Sequence, residues 1–241
     1  MSRPAPRRGL QAIIFDFDGV IANSEPLHLH AFQAVLGEQG LSLSADEYYT
    51  HYLGHDDVGV FQELAKDCGY AWSDRHVAAL VAAKGVKLQE MLHAGAVLFA
   101  GAADFIRLSA ASVPIAIASG ALPHEIREVV GAAGLADLFT TIVGAGDTAE
   151  SKPSPEPYRL AFEQLRARSG LDLDPGRTVA IEDSRWGLAS ARGAGLRCVG
   201  VTSSYPAHEL PGSEVAVGSL ADLTLEMLDA LCLSPHAEGP C

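Results

Sequence analysis

Five short apolar runs constrain the fold of this chain more than any other feature of its sequence. They cover residues 10–15, 114–118, 141–143, 178–181 and 197–201. Runs of this length are typical of strands buried on both faces of a parallel sheet. Helical patterns lie between them, over residues 102–109, 123–133, 155–168 and 185–194. This alternation predicts an α/β fold with a doubly wound, Rossmann-like parallel sheet.

One interval, between residues 25 and 92, breaks the alternation because it contains only helical patterns. These cover residues 26–38, 45–53, 58–68 and 74–92, and Ser73 is the expected N-cap of the last helix. A block of helices after the first strand predicts an inserted α-helical cap domain. We therefore expect a Rossmann-like core of residues 9–23 and 96–233, a cap of residues 24–95, and flexible tails at 1–8 and 234–241.

Composition narrows the class of protein and its partners. Hydrophobic residues make up 48% of the 241 residues, which is enough for one or two packed domains. The net charge of −13 gives a surface that repels nucleic acids and anionic membranes. No apolar run has the length of a membrane span or the form of a secretory signal, and the four scattered cysteines lack metal-binding spacing. We expect a cytoplasmic protein, monomeric or weakly dimeric, whose partner is a small molecule.

An acid pair follows the first apolar run. In open α/β sheets, ligands bind beyond the carboxyl ends of the strands, so polar residues at these points are candidate site residues. Asp16 interrupts the apolar run and Asp18 follows two positions later. A buried carboxylate is costly unless a cation or a donor meets it. The pair can hold a hard cation and divide the work of nucleophile and acid/base, although an Asx turn that ends the strand is the alternative.

Two further strand ends offer groups that can bind an anion. Ser119 and Gly120 follow the second run, and their hydroxyl and backbone N–H groups can hold a phosphate oxygen. The same dipeptide is also common in ordinary turns. Lys152 lies in a proline-rich loop, residues 151–158, where it can supply a fixed positive charge. The alternative for Lys152 is a solvated surface lysine.

A second acid pair, Glu182 and Asp183, follows the fourth run. Asp183 together with Asp16 suits magnesium, which favours octahedral oxygen ligation with a few carboxylates, although helix N-capping is an alternative role. If the strand ends converge, the acids repel one another and raise their own pKa values. A divalent cation and Lys152 resolve this conflict, so the pattern predicts a metal site that attracts phosphate.

These four segments, in this order, resemble the four motifs of the haloacid dehalogenase superfamily of phosphotransferases. The resemblance spans residues 13–184, and the helical insert is similar to the type 1 cap of that family. The stretch from Asp16 to Glu25 resembles the β-phosphoglucomutase and phosphoglycolate phosphatase branch, since the dehalogenase branch lacks an acid at the position of Asp18. The resemblance implies a Mg²⁺-dependent phosphatase that hydrolyses a small phosphate monoester through an aspartyl-phosphate intermediate.

The resemblance also implies a role for each motif residue. Asp16 attacks phosphorus and carries the phosphoryl group, and Asp18 protonates the leaving oxygen and then activates water. Ser119 and Gly120 hold a phosphoryl oxygen, and Lys152 neutralises Asp16 and the phosphate.

The same resemblance implies the metal ligands. They are the carboxylates of Asp16 and Asp183 and the backbone carbonyl of Asp18. Glu182 is either a ligand itself or an acceptor that supports one.

The cap is expected to select the substrate. Glu25, His28 and Lys84 are the candidate substrate-binding residues, because residues 23–28 resemble those of sugar-phosphate members of the family. Lys84 lies in the apolar stripe of the 74–92 helix, so it either extends to the rim or points into a cleft. The alternative for His28 is a histidine at the edge of the core.

Three other functions remain open at this point. A phosphosugar mutase of the β-phosphoglucomutase type is the main alternative, but residues 53–57 are acidic and lack the arginine that grips a second phosphate in that enzyme. A nucleotide-binding oxidoreductase is suggested by Gly144-Ala145-Gly146, which lacks the third glycine of the Rossmann motif. A non-catalytic binding protein would not require the acid and lysine residues that the motifs retain.

Overall fold

The structure is a computed structural model and describes residues 9–53, 55–93 and 98–235. The strands are β1 (Ala12–Phe15), β2 (Ile115–Ala118), β3 (Phe139–Val143), β4 (Thr178–Glu182), β5 (Arg197–Val201) and β6 (Val215–Val217). The helices are α1 (Glu25–Glu38), α2 (Ala45–Glu47), α3 (Asp57–Asp67), α4 (Asp74–His93), α5 (Ala102–Ala110), α6 (Pro123–Ala132), α7 (Glu156–Ser169), α8 (Arg185–Gly193) and α9 (Leu225–Leu233). The predicted tails at 1–8 and, from residue 236, at the C-terminus lie outside the described residues.

The six strands form one parallel sheet in the order β3-β2-β1-β4-β5-β6, which confirms the predicted doubly wound fold. β1 lies between β2 and β4, so Phe15 pairs with both Ile117 and Ile181. The chain extends the sheet from β1 in one direction through β2 and β3, and in the other through β4 to β6. The order therefore reverses between β1 and β4, which is the point where sheets of this class bind ligands.

The apolar runs become strands because both faces of the sheet are covered. Every residue of β1, β2, β4 and β5 is buried. On one face, Tyr158, Phe162 and Leu165 of α7 pack against the strands with a helical spacing of three to four residues. A strand buried on both sides has no polar face, which is the reason for its continuous apolar sequence.

Two elements at the C-terminal end were not predicted. β6 has three residues that are exposed or half-buried, because it forms the edge of the sheet. Helix α9 begins at an N-cap in which the Thr224 hydroxyl accepts a hydrogen bond from the Met227 N–H at 3.2 Å. A three-residue run is too short to show the period of a strand, so the sequence pattern carried no signal for β6.

Contacts within the chain divide the described residues into two compact units. One contains the described residues of Met1–Asn23 and Ala96–Cys241, and the other, called the helical unit here, contains those of Ser24–Gly95. The helical unit has its own core, in which Phe32 and Phe61 meet edge to face at 5.2 Å between ring centroids. Its last helix, α4, begins directly after Ser73, whose hydroxyl accepts a hydrogen bond from the His76 N–H at 3.3 Å. That the helical unit acts as a cap stays a prediction.

In the described parts of the chain, none of the helices combines the length and apolar character that a membrane span requires.

Candidate active site

Asp16 is the first residue beyond β1, at the point where the strand order reverses. Its backbone N–H donates to the Ile181 carbonyl oxygen at 2.9 Å, which continues the pairing of β1 with β4 by one residue. The Asp16 residue is buried, with 7% of its surface exposed. The sheet therefore fixes the backbone that carries this carboxylate beside the end of β4.

Lys152 joins the two strand ends through its ammonium group. Its Nζ lies 2.7 Å from Asp16 Oδ1 and 2.6 Å from Glu182 Oε1. The ammonium also lies 4.9 Å from the centre of the Tyr158 ring, on the sheet-facing side of α7. With 14% of its side chain exposed, Lys152 is a held cation and not a solvated surface lysine.

Glu182 uses both carboxylate oxygens in hydrogen bonds. Oε1 accepts from Lys152 and from the Tyr158 hydroxyl, the latter at 3.2 Å. Oε2 accepts from the backbone N–H of Asp183 at 3.0 Å and from the N–H and hydroxyl of Ser184 at 3.1 and 3.0 Å. Five donors already engage this buried carboxylate. Its geometry therefore favours a role in supporting a metal ligand over binding the metal directly.

Helix α8 approaches Glu182 so closely that only glycine fits at one position. A Cβ added at Gly187 would lie 1.6 Å from Glu182 Oε1. The Gly187 N–H donates to the Ser184 hydroxyl at 3.1 Å, which caps α8. Ser184 is therefore the residue that caps this helix, and the cap is present together with the carboxylate cluster.

Three carboxylates form a cluster with the geometry of a metal site. One oxygen each of Asp16, Glu182 and Asp183 can be chosen so that all lie within 4.8 Å of one another, and all three residues are buried. Among the residues that the structure describes, this is the one such group. Oxygen ligands at this density suit a hard divalent cation.

The electrostatics of the cluster show why a cation fits there. Burial, reinforced by Glu182, raises the pKa of Asp183 to about 7. Burial also raises the pKa of Asp16 well above its usual range, although Lys152 opposes the shift. Burial tends to lower the pKa of Lys152, but Asp16 and Glu182 together raise it above its ordinary value. The lysine stays charged and one cation does not compensate three acids, so a divalent ion would complete the site.

The remaining motif residues follow the neighbouring strand ends. Ser119 comes directly after β2, is buried, and accepts a hydrogen bond from the Ala121 N–H at 3.0 Å through its hydroxyl oxygen. Gly120 faces open space, since a Cβ added there would meet no atom within 4 Å. Asp18 forms a backbone bridge with Ala22 and contributes to the raised pKa of Asp183, so its charge lies close to the cluster.

The helical unit contains a second charged group, which includes two predicted residues. Lys84 is only 1% exposed, and its Nζ lies 2.7 Å from Asp57 Oδ1 and 2.8 Å from His28 Nδ1. The ammonium lies 4.8 Å from the centre of the Phe32 ring. Of the two alternatives for Lys84, extension to the rim does not fit, because Asp57 and His28 hold its ammonium in a buried position.

Glu25, the third predicted residue of this unit, accepts a hydrogen bond from the Tyr48 hydroxyl at 2.5 Å. Burial raises the pKa of Glu25. Burial, together with the charge of Lys84, lowers the pKa of His28 to about 4, so this histidine is neutral near pH 7. The group Glu25, His28, Asp57 and Lys84 thus contains one cation that is already paired.

Sequence reasoning missed several residues that complete these two groups. Tyr158 and Tyr48 are buried among the apolar residues of their units, where the sequence pattern cannot distinguish them from ordinary core tyrosines. Asp57 was read as part of an acidic stretch, and its pairing with Lys84 required the packing of α3 against α4. Ser204, whose hydroxyl donates to Asp183, lies in a loop after β5 that carries no motif.

The sequence of the chain matches a family model described as haloacid dehalogenase-like hydrolase over residues 13–201. The match covers the ends of β1, β2, β3 and β4, where the candidate site lies. The chain belongs to the haloacid dehalogenase-like hydrolase family. This confirms the family that the four motifs predict.

Individual relatives agree with this assignment. The chain is 36% identical to Protein CbbY of Rhodobacter capsulatus over 206 residues, which cover 81% of this chain and 87% of that protein. It is 26% identical to the phosphoglycolate phosphatase of Yersinia pseudotuberculosis over 205 residues, which cover 82% of this chain and 83% of the relative. A crystal structure of a CbbY mutant from Rhodobacter sphaeroides, in complex with xylulose-(1,5)-bisphosphate, has a TM-score of 0.77 and 30% identity, covering 91% of this chain and 99% of that chain.

Proposed function

We propose that the chain is a Mg²⁺-dependent phosphatase that hydrolyses a small phosphate monoester through an aspartyl-phosphate at Asp16. The observation that carries the proposal is the Lys152 ammonium, which lies within 2.7 Å of both Asp16 and Glu182 in a buried carboxylate cluster. Phosphoryl transfer depends on positioning and on compensation of the charge of the phosphoryl oxygens, and this cluster supplies both. The relatives named as phosphatases support the same reaction class.

The residues divide the reaction into two steps. A carboxylate oxygen of Asp16 forms a bond to phosphorus while the ester bond to the leaving oxygen breaks, and Asp18 gives its proton to that oxygen. Water then attacks the phosphorus, Asp18 takes a proton from the water, and phosphate leaves as the Asp16 carboxylate is restored. Ser119 and Lys152 hold the phosphoryl oxygens, and splitting hydrolysis in this way is ordinary covalent catalysis.

The divalent ion would be held by the carboxylates of Asp16 and Asp183 and by the backbone carbonyl of Asp18. When bound, it supplies positive charge that offsets the charge of the phosphoryl group. Glu182 holds Lys152 and stabilises the backbone of the Asp183 segment through the five hydrogen bonds given above. We propose Mg²⁺ because the cluster offers few carboxylates, and Mg²⁺ in proteins keeps several waters and takes one or two carboxylates.

The charged group of the helical unit supports a sugar phosphate as the substrate. We propose that Glu25, His28 and Lys84 recognise the sugar. Lys84 is already paired with Asp57, and His28 is neutral near pH 7 because its pKa is lowered to about 4. This group therefore suits hydroxyl groups better than a second phosphate or the carboxylate of phosphoglycolate. The same feature favours net hydrolysis over the mutase reaction, which must retain a bisphosphate.

A screen of phosphate monoesters with Mg²⁺ tests the proposed reaction. We expect free phosphate to be released, and sugar monophosphates to have a higher kcat/KM than the corresponding bisphosphates or phosphoglycolate. An isomerised sugar phosphate without net phosphate release would contradict the proposal and establish the mutase instead.

Removal of divalent ions is expected to lower phosphatase turnover by about 100-fold or more, since metal-ion charge stabilisation contributes several kcal/mol in such reactions. The measurement is phosphate release after dialysis against EDTA, and then after addition of excess Mg²⁺. Dialysis against EDTA already saturated with Mg²⁺ is the control for effects of the chelator itself. Full turnover in the presence of free EDTA would exclude a role for a removable cation.

Substitution of Lys84 by methionine is expected to lower kcat/KM for the preferred ester about 10- to 100-fold, the range typical of losing one well-placed charged hydrogen bond. Methionine keeps most of the buried volume and removes the ammonium. Lys87→Met is the matched control, because Lys87 lies on the same helix and is 37% exposed with a 3.8 Å contact to Glu90. If both variants keep the wild-type kcat/KM, Lys84 has only a structural role.

The other partner and location assignments stay predictions. We propose a phosphorylated metabolite as the ligand, a cytoplasmic location, no nucleic-acid or membrane partner, and a monomer or weak homodimer.

A further inference from the structure

The loop after β5 is tied to elements on both sides of the carboxylate cluster. Thr202 donates its backbone N–H to the Val217 carbonyl oxygen at 2.9 Å, which anchors the loop to β6. The next residue, Ser203, donates its hydroxyl to the Gly19 carbonyl oxygen at 2.5 Å. Gly19 follows Asp18 in the first motif, so the loop contacts the segment that carries two of the proposed reacting groups.

The following two residues contact the segment at the end of β4. The Ser204 hydroxyl donates to Asp183 Oδ2. The Tyr205 ring meets the Trp186 ring of α8 edge to face, with 6.1 Å between the centroids. The four consecutive residues 202–205 therefore each contact a different element near the cluster: β6, the turn at Gly19, the Asp183 carboxylate and helix α8.

Close packing leaves little room for the Asp183 carboxylate to turn. Gly19 has φ +77°. A Cβ added at Gly19 would lie 1.9 Å from Asp183 Oδ2 and 3.0 Å from Ser204 Oγ. The Gly19 backbone and the Ser204 hydroxyl thus enclose the same carboxylate oxygen. A hydrogen bond at this point fixes the rotation of the carboxylate about its last bond.

We propose that Ser204 is a positioning residue of the metal site, whose hydroxyl holds the Asp183 carboxylate in the orientation that binds the divalent cation. The inference rests on the proposed function, because it requires a cation at Asp183. Groups that hydrogen-bond to metal ligands orient those ligands, and their loss typically weakens metal binding about 10- to 100-fold. The flanking contacts of Thr202 and Tyr205 keep the loop in place, so the serine hydroxyl can be removed without moving the loop.

The test is direct titration of the full-length protein with Mn²⁺ or Mg²⁺ by calorimetry, in the absence of substrate. We expect Ser204→Ala to weaken binding about 10-fold or more, and Ser204→Thr, which keeps the hydroxyl, to restore an affinity close to that of the wild type. Ser112→Ala is the control, because that exposed hydroxyl donates to the Leu108 carbonyl in a helix of the same unit. In steady-state assays, Ser204→Ala should raise the Mg²⁺ concentration required for half-maximal turnover and change kcat at saturating Mg²⁺ much less.

The outcomes separate this inference from the proposed function. Equal affinities of the wild type and Ser204→Ala would overturn the role of Ser204 alone. An equal loss in Ser204→Ala and Ser204→Thr would also overturn it, since the hydroxyl would then not be responsible. No cation binding by the wild type would contradict the metal assignment itself, and the inference would fall with it.

Discussion

Substitution of Asp16 by asparagine is expected to lower phosphatase turnover by about 10⁴-fold or more, a loss typical of removing a catalytic nucleophile. Asparagine has nearly the same shape as aspartate but lacks the anionic oxygen that forms the bond to phosphorus. The fold should be retained, because burial already disfavours the charge at Asp16 and raises its pKa. The measurement is kcat for the best ester of the screen, together with the midpoint of urea unfolding.

Asp172→Asn is a suitable control, since it removes the same charge from an exposed position of the same unit. We expect it to keep the turnover of the wild type. If Asp16→Asn stays within an order of magnitude of the wild type while it remains folded, the covalent mechanism at Asp16 is wrong.

Substitution of Lys152 by methionine is expected to have the largest effect on stability, lowering the free energy of unfolding at pH 8 by about 3–5 kcal/mol. The ammonium is the shared partner of Asp16 and Glu182, and its loss leaves two buried carboxylates without a cation. Turnover should also fall steeply, because the charge that stabilises Asp16 and the phosphoryl group is lost. Urea unfolding should be followed by Trp186 fluorescence in a Trp72→Phe background, because the two tryptophans lie in different units.

The loss of stability in Lys152→Met should depend on pH in a defined direction. The pKa of Asp16 is raised in the folded protein, and that of Asp183 is raised to about 7. Folding therefore favours the protonated acids. The loss in free energy of unfolding caused by Lys152→Met is expected to be largest above pH 7 and to shrink as the pH falls towards 5. Arg159→Met is the control, because Arg159 lies in the same unit, has 53% of its side chain exposed and contacts Glu156 at 3.8 Å. An equally small loss in both variants at pH 8 would contradict the bridging role of Lys152.

Much of the fold was predictable because it depends on continuous local patterns. The apolar runs that form β1, β2, β4 and β5 are buried on both faces, and such runs are easily recognised in a sequence. The order of the strands places the ends of β1 and β4 side by side. The meeting of Asp16, Lys152 and Asp183 could be anticipated for this reason, since polar residues after parallel strands share one edge of the sheet.

The rest depended on packing that leaves no periodic trace. The five hydrogen bonds to Glu182 favour a supporting acceptor over a direct ligand, and three of them come from the two residues that follow it in sequence. Lys84 was placed on an apolar stripe, but its partner Asp57 belongs to another helix. Ser204 lies in a loop without a motif, and only the path of the chain after β5 brings it to Asp183.

The most direct test of the account is to trap the phosphoryl group on the enzyme. The protein with Mg²⁺ is mixed with p-nitrophenyl phosphate, quenched in acid within a single turnover, reduced with borohydride and digested, and the peptide that contains residue 16 is analysed by mass spectrometry. Borohydride reduces an acyl phosphate to an alcohol, so we expect homoserine at position 16 in the wild type and unmodified aspartate in a sample without substrate. Aspartate at position 16 in every quenched sample, with rapid phosphate release in the same mixture, would contradict the aspartyl-phosphate intermediate.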